Sequence, residues 1–247
     1  MVSRAVCLAW LAAVAACGRI GIDPVAIDAP PDVDTPPPDL TLGLVAHYAM
    51  EGAPLDGARD SSGNQLDGTC GGTCPGRGPG QIGLAATFDN TAYYVVNDDA
   101  LLRPSAFTVA LWLRRRSGPG VTPVVKPQVV GTGASWELVT FAGRTNFCTD
   151  IDPGAQGERC TNGPPLVLGA WSYVAMTWDG VTKRLLIDGV EVAKEVSGTV
   201  FDTSAMMIGA DRQDGVIGEP YSGDIDELRI YDRALDDATL AALFTLR

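Results

Sequence analysis

The run Y-S-G-D-I-D-E-L-R-I-Y-D-R-A-L at residues 221–235 constrains the fold of this chain more than any other segment. It reads as a strand that passes into a short helix. Alternation across residues 223–232 predicts Asp224, Asp226, Leu228, Ile230 and Asp232 on one face of that strand. Asp226 then shares a face with Leu228 and Ile230, which look like core residues. A carboxylate placed there must meet a cation, an Arg or several N–H groups, because an unpaired buried charge is very costly.

The rest of the chain repeats the theme of short strands. Residues 107–115 alternate cleanly, with Phe107, Val109, Leu111 and Leu113 on one face and Thr108, Ala110 and Trp112 on the other. Further β-type segments span residues 44–50, 84–89, 93–97, 135–142, 171–179 and 206–210, each bounded by turn residues. Asp179-Gly180 and Asp188-Gly189 suit tight hairpins, so residues 171–196 predict a three-stranded meander. Asp236 or Asp237 is placed to cap a helix running to about Phe244. Many short antiparallel strands with almost no helix predict an all-β, two-sheet sandwich with a short C-terminal helix.

The N-terminal region has a different composition. Arg4 followed by the apolar run 5–16 reads as an export signal, too short to span a bilayer as a helix. Val14-Ala15-Ala16-Cys17 looks like a bacterial lipobox, which implies cleavage and lipidation at Cys17 and a surface-anchored, outer-membrane location. Residues 18–42 hold six Pro and five Asp with no apolar periodicity, so they predict an extended linker, reaching up to ~75 Å. The folded domain is then expected over residues 43–247.

The full chain carries a net charge of −12, and −9 remains on the expected domain once Arg4, Arg19 and the five linker Asp are set aside. Such acidity argues against nucleic acid and anionic surfaces as partners, and leaves neutral sugars, cations and basic proteins open. With Cys7 removed and Cys17 lipidated, Cys70, Cys74, Cys148 and Cys160 remain. An even number in an exported chain predicts two disulfides, most simply the local pairs Cys70–Cys74 and Cys148–Cys160; a four-thiolate zinc site is the alternative.

The order of the segments supports a further reading. G-L-V-A-H-Y-A-M-E at 43–51, D-S-S-G-N at 60–64, G-L-A-A-T-F-D at 83–89 and F-T-V-A-L-W-L at 107–113 come first. W-S-Y-V-A-M-T-W-D-G at 171–180, L-L-I-D-G-V at 185–190, M-I-G-A-D at 207–211 and the closing run follow. In series they resemble a laminin G-like, concanavalin A-like domain, which implies a jelly-roll β-sandwich. Related sandwiches hold a structural Ca²⁺ where the loop after the first strand meets the last strand. The resemblance implies Asp60 and Asp226 as its ligands here; an Asx-turn at Asp60 and hydrogen bonds to Asp226 are the alternative.

The resemblance also admits glycosidases, but the E-x-D-x-x-E pattern that carries their paired carboxylates is absent. His47 is the sole histidine and therefore the one possible base for a Ser-His or Cys-His site; it is expected to be structural. No enzymatic activity is expected. Most aromatic residues alternate into the core, which leaves Trp136 and Tyr221 as candidate stacking platforms for a sugar. The expected function is a surface-anchored, non-catalytic module for a carbohydrate or extracellular protein. A purely structural or adhesive module is the runner-up, and a polysaccharide-acting enzyme comes third. Specificity is expected in loops 51–80, 146–165 and 213–221.

Overall fold

The computed structural model describes residues 36–116, 121–129, 133–141, 143–151 and 157–246. The expected signal segment, Cys17 and residues 18–35 of the expected linker lie outside the described residues. The compact unit spans Pro37–Arg247, so folding begins before the expected boundary at Gly43. Leu40 is the cause: its side chain packs on the cluster around Trp112 and its carbonyl accepts the Tyr231 hydroxyl at 3.0 Å.

The described residues form seventeen strands, two short 3-10 turns and one α-helix. The first six strands are β1 (Leu44–Tyr48), β2 (Gly68–Cys70), β3 (Gly76–Pro79), β4 (Leu84–Asp89), β5 (Tyr94–Val96) and β6 (Phe107–Arg115). Next come β7 (Val124–Pro127), β8 (Ala134–Thr140), β9 (Thr145–Asp150), β10 (Glu158–Gly163), β11 (Trp171–Trp178) and β12 (Thr182–Ile187). The last are β13 (Val190–Val196), β14 (Met206–Ile208), β15 (Asp211–Gln213), β16 (Val216–Gly218), β17 (Ser222–Tyr231) and α1 (Asp237–Thr245).

All pairings within the sheets are antiparallel. An eight-stranded sheet runs β13-β12-β11-β6-β17-β4-β3, with β1 also paired to β17; a seven-stranded sheet runs β10-β9-β8-β7-β14-β5-β2. The main core lies between them. Phe107, Val109, Leu111 and Leu113 meet Trp136, Leu138, Phe147 and Ile208 there, following the alternation read from the sequence. The β12–β13 hairpin turns at Asp188 and Gly189, both with positive φ (51° and 79°), as a tight two-residue turn demands. Asp236 caps α1 by accepting the Thr239 N–H at 2.7 Å.

The last strand departs from strict alternation. A register shift falls between Asp226 and Arg229, and Glu227 takes φ 52°, the signature of a β-bulge. The bulge lies where β17 passes from pairing with β4 (through Ile225) to pairing with β1 (from Leu228). It resets the faces: Ile225, Leu228 and Ile230 all enter the inter-sheet core. Asp226 therefore does not share a face with Leu228 and Ile230, contrary to expectation.

The outer face of the eight-stranded sheet carries a second apolar cluster. Ala110, Trp112, Tyr173 and Tyr231 are covered there by Leu240 and Leu243 of α1. Short strands β2, β3, β9, β10 and β16 occupy stretches that the sequence assigns to loops. They are rich in Gly, Thr, Asn and Cys, and ladder hydrogen bonds to neighbours hold them where side-chain periodicity is weak.

Candidate functional site

A polar cavity of about 220 Å³ opens on the outer face of the seven-stranded sheet. Side chains that alternate away from the core build its floor: Glu137 and Val139 from β8, Asn146 and Cys148 from β9, Glu158 and Cys160 from β10. Cross-strand register places Glu137 opposite Cys148, and Cys148 opposite Cys160. The Cys148–Cys160 disulfide thus staples β9 to β10 at the centre of the floor. Gln213 at the end of β15 and Glu219 just after β16 complete the lining, with Phe141 and Arg144 at the rim. Phe141 is 37% exposed and lies under the Arg144 guanidinium, 5.5 Å from its ring centre.

Acid dominates the electrostatics. Burial pushes the Glu137 carboxyl well above the ordinary range, reinforced by Asp211, Glu158 and Glu219. Glu158 keeps an exposed outer edge, yet desolvation on its cavity side, with Asp150, Asp211 and Glu219 nearby, pushes it up to about 7. Burial also raises Asp211. The Thr122 hydroxyl lies 2.9 Å from Glu137 Oε1 and 3.3 Å from Glu219 Oε2. A hydroxyl has one proton to donate, so both contacts are satisfied when one carboxyl keeps its own proton and donates back. Asn146 is 3% exposed, and its Oδ1 has no hydrogen-bond partner among the described residues. The cavity is thus lined by acceptors that call for donors.

The two acids expected to hold calcium have separate partners. Asp60 accepts the N–H groups of His47 (3.0 Å), Ser62 (2.9 Å) and Leu66 (3.0 Å), and the Ser62 hydroxyl (2.9 Å). That is an Asx-turn network with both oxygens engaged. Asp226 Oδ2 accepts from Gln81 N–H (2.8 Å) and Ile82 N–H (2.9 Å), while its Oδ1 is unpartnered. Gly80 permits the approach, since a Cβ there would sit 2.6 Å from Asp226 Oδ2. The two carboxylates share no partner, and Asp60 has no oxygen left for an ion, so the pair does not fit a shared Ca²⁺.

His47 joins the first and last strands. One ring nitrogen meets Ser61 Oγ at 2.9 Å and the other meets Glu227 Oε2 at 2.9 Å. The outline is that of a nucleophile–base–acid relay. Two further contacts engage the same atoms: Ser61 Oγ also donates to the His47 carbonyl at 3.0 Å, and Arg229 takes the same Glu227 oxygen at 2.5 Å. Burial alone would raise Glu227, but the His47 hydrogen bond and the Arg229 charge hold it below the ordinary carboxylate range.

With the sandwich and its cavity defined, comparison with known families is direct. A profile described as the Concanavalin A-like lectin/glucanases superfamily (Laminin_G_3) matches residues 88–241, more than half of the chain. The chain belongs to this concanavalin A-like superfamily.

Among solved structures, this concanavalin A-like chain is similar to domain 4 of AbnA, a GH43 extracellular arabinanase from Geobacillus stearothermophilus, in complex with arabinotriose. Identity is 24% and the TM-score 0.65, over 82% of this chain and 98% of that one. It is also similar to the binding domain of Paraclostridial Mosquitocidal Protein 1 (16% identity, TM-score 0.66, 83% and 52% covered). The binding domain of Botulinum Neurotoxin DC in complex with SialylT matches at 13% identity and TM-score 0.61, over 83% and 52%. The chain thus spans about half the length of those two toxin domains. Comparison with curated protein sequences gives no match.

Within this concanavalin A-like sandwich both expected disulfides are present, Cys70–Cys74 and Cys148–Cys160. Their sulfurs are bonded in pairs, so the four cysteines are not a thiolate zinc site. The expected stacking platforms are corrected. Trp136 is 2% exposed and packs against Phe107 in the inter-sheet core; Tyr221 is fully buried against Phe88. Both side chains are directed into the core, so neither ring can face a ligand. Sequence reasoning passed over Glu137, Asn146 and Glu158. Glu137 had a visible signal, since it stands between the inward residues Trp136 and Leu138 and must point out of the core.

Proposed function

We propose that this chain is a non-catalytic binding module that takes a carbohydrate in the cavity between β8, β9, β10 and the β15–β16 hairpin. The observation that carries the reading is the lining itself: carboxyl and amide acceptors around a small cavity, with the exposed Phe141 ring at its edge. Sugars offer hydroxyl donors and apolar C–H faces, which match that combination. The similar AbnA domain, matched over nearly its whole length, is described in complex with arabinotriose. Calorimetric titration of the chain with neutral oligosaccharides tests the proposal. Binding is expected, and E137Q combined with N146A should weaken it by about tenfold or more. Silence across a broad glycan set would leave a structural or adhesive module.

Export and anchoring belong to the same proposal. The apolar run before Cys17 supports delivery of the module on a lipid at that residue. Changing Cys17 to Ser should move the protein from the membrane fraction to the aqueous fraction; retention in the membrane fraction would remove the anchor from the reading.

A further inference from the structure

The cavity holds more acid than its surroundings balance. None of the lining acids Glu137, Glu158 and Glu219, nor the neighbouring Asp211, lies within ion-pair distance of a Lys or Arg among the described residues. Lys183 is the cation that acts on Glu158, but its ammonium is bound to the Arg159 carbonyl and paired with Glu195 at 3.7 Å. Arg144 lies over Phe141 at the rim.

A second observation points to a missing donor. Asn146 and Asp211 are each 3% exposed, and each has an Oδ1 without a hydrogen-bond partner among the described residues. An acceptor buried to that degree is destabilising until a donor reaches it. Asn146 lines the cavity, so a ligand seated there is placed to supply one.

The geometry also narrows the kind of positive group. A hard metal ion needs its oxygens at about 2.3–2.6 Å from one point, hence within about 5 Å of one another. Among the described residues, the group of three candidate ligands that tight is Cys148, Glu158 and Cys160. Its sulfurs are spent on the disulfide. No three of the cavity's carboxylates among the described residues come that close to one another, which suits a broader group with several N–H or O–H donors.

We infer that the cavity selects a cationic saccharide, the protonated amine of an amino sugar pairing with Glu137 and Glu219 while neighbouring hydroxyls donate to Asn146. The inference rests on the carbohydrate reading above and names its substrate class. An ammonium carries three donors and a full charge, so it satisfies two carboxylates where a neutral hydroxyl satisfies one. Its arrival replaces the proton that the Glu137–Thr122–Glu219 chain must otherwise hold.

Titration of the full chain with oligomers of glucosamine, of N-acetylglucosamine and of neutral arabinose, with oligolysine, and with calcium chloride alone tests this. Glucosamine oligomers are expected to bind at least about tenfold tighter than their acetylated counterparts. That preference should vanish in E137Q and in E219Q, and persist in D237N, which removes an exposed charge on the helix. Circular dichroism controls for folding, and the exposed Glu219 supplies a variant that leaves the core intact. Equal affinity for charged and neutral sugars would overturn the inference and leave the carbohydrate reading standing. Silence toward every sugar would overturn both. Oligolysine binding as tightly as glucosamine would reduce the effect to general attraction for polycations, and calcium binding alone that E137Q abolishes would replace the amine by an ion.

Discussion

Four hydrogen bonds converge on the side chain of Asp60, and they explain why a short acidic loop can anchor a sheet. The carboxylate gathers His47 N–H from the first strand and Ser62 and Leu66 N–H from the loop, so one residue closes the loop onto the strand. Asp60→Ala leaves these donors without an acceptor and should cost about 2–4 kcal/mol. Thermal denaturation should show a drop of roughly 5–10 °C. Because four hydrogen bonds already engage both carboxylate oxygens, EDTA should leave the wild-type midpoint in place. A chelator-induced fall matching the Asp60→Ala loss would reinstate a metal at this residue. The His47 ring, held between Ser61 of the same loop and Glu227 of the last strand, ties the first strand to both.

At the scale of elements, two devices shape the molecule. The bulge at Glu227 lets one ten-residue strand serve β4 with its first half and β1 with its second, while keeping apolar residues inward on both sides. Helix α1 solves the other problem, an outer sheet face bearing Trp112 and Tyr173. Phe244 stacks beside both rings at centroid distances of 5.7 and 5.8 Å, and Leu243 is 1% exposed beneath it. Leu243→Ala should therefore cost about 2–4 kcal/mol, read from denaturant titration. The accompanying change in tryptophan fluorescence would report exposure of Trp112. A loss below about 0.5 kcal/mol would mean that the helix merely rests on the sheet.

Across the whole molecule, buried acids set the pH dependence of stability. Asp226 is fully buried by surface area, and desolvation, with Glu227 adjacent, pushes its carboxyl up to about 7. Glu158 rises to about 7, and Glu137 and Asp211 rise as well. Between about pH 4 and 7 the unfolded chain has released protons that these folded carboxyls keep, so stability falls as pH rises through that window. Glu227, Asp89 and Asp236 are held low, and their contribution is lost as pH falls below the ordinary carboxylate range. The melting temperature should therefore peak near pH 4–5 and decline toward pH 8. Asp226→Asn, whose amide oxygen can still accept from Gln81 and Ile82, should flatten the decline and raise the midpoint at pH 8. A midpoint that climbs steadily from pH 5 to 8 would refute this balance.

The strands with clear alternation, the Asp-Gly hairpin at 188–189, the helix cap at Asp236 and both disulfide pairings were legible in the chain itself. Each is a local matter, because side-chain period, turn chemistry and cysteine spacing act over a few residues. The face of Asp226 differs from the expected one, since a single residue at positive φ sets the residues before it on the opposite face from the one strict alternation gives, and no local pattern announces it. Trp136 and Tyr221 looked available because burial depends on which sheet lies opposite. The acidic cavity lay beyond sequence reasoning for the same reason. Glu137, Asn146, Glu158 and Glu219 come from four stretches separated by up to 82 positions, and only strand pairing and the fold of the hairpin bring them to one face. Local chemistry in the sequence determined the elements and the sandwich they form. Tertiary structure alone decided which charges stand together without partners, because desolvation and proximity are properties of packed surfaces and not of neighbouring residues in the chain.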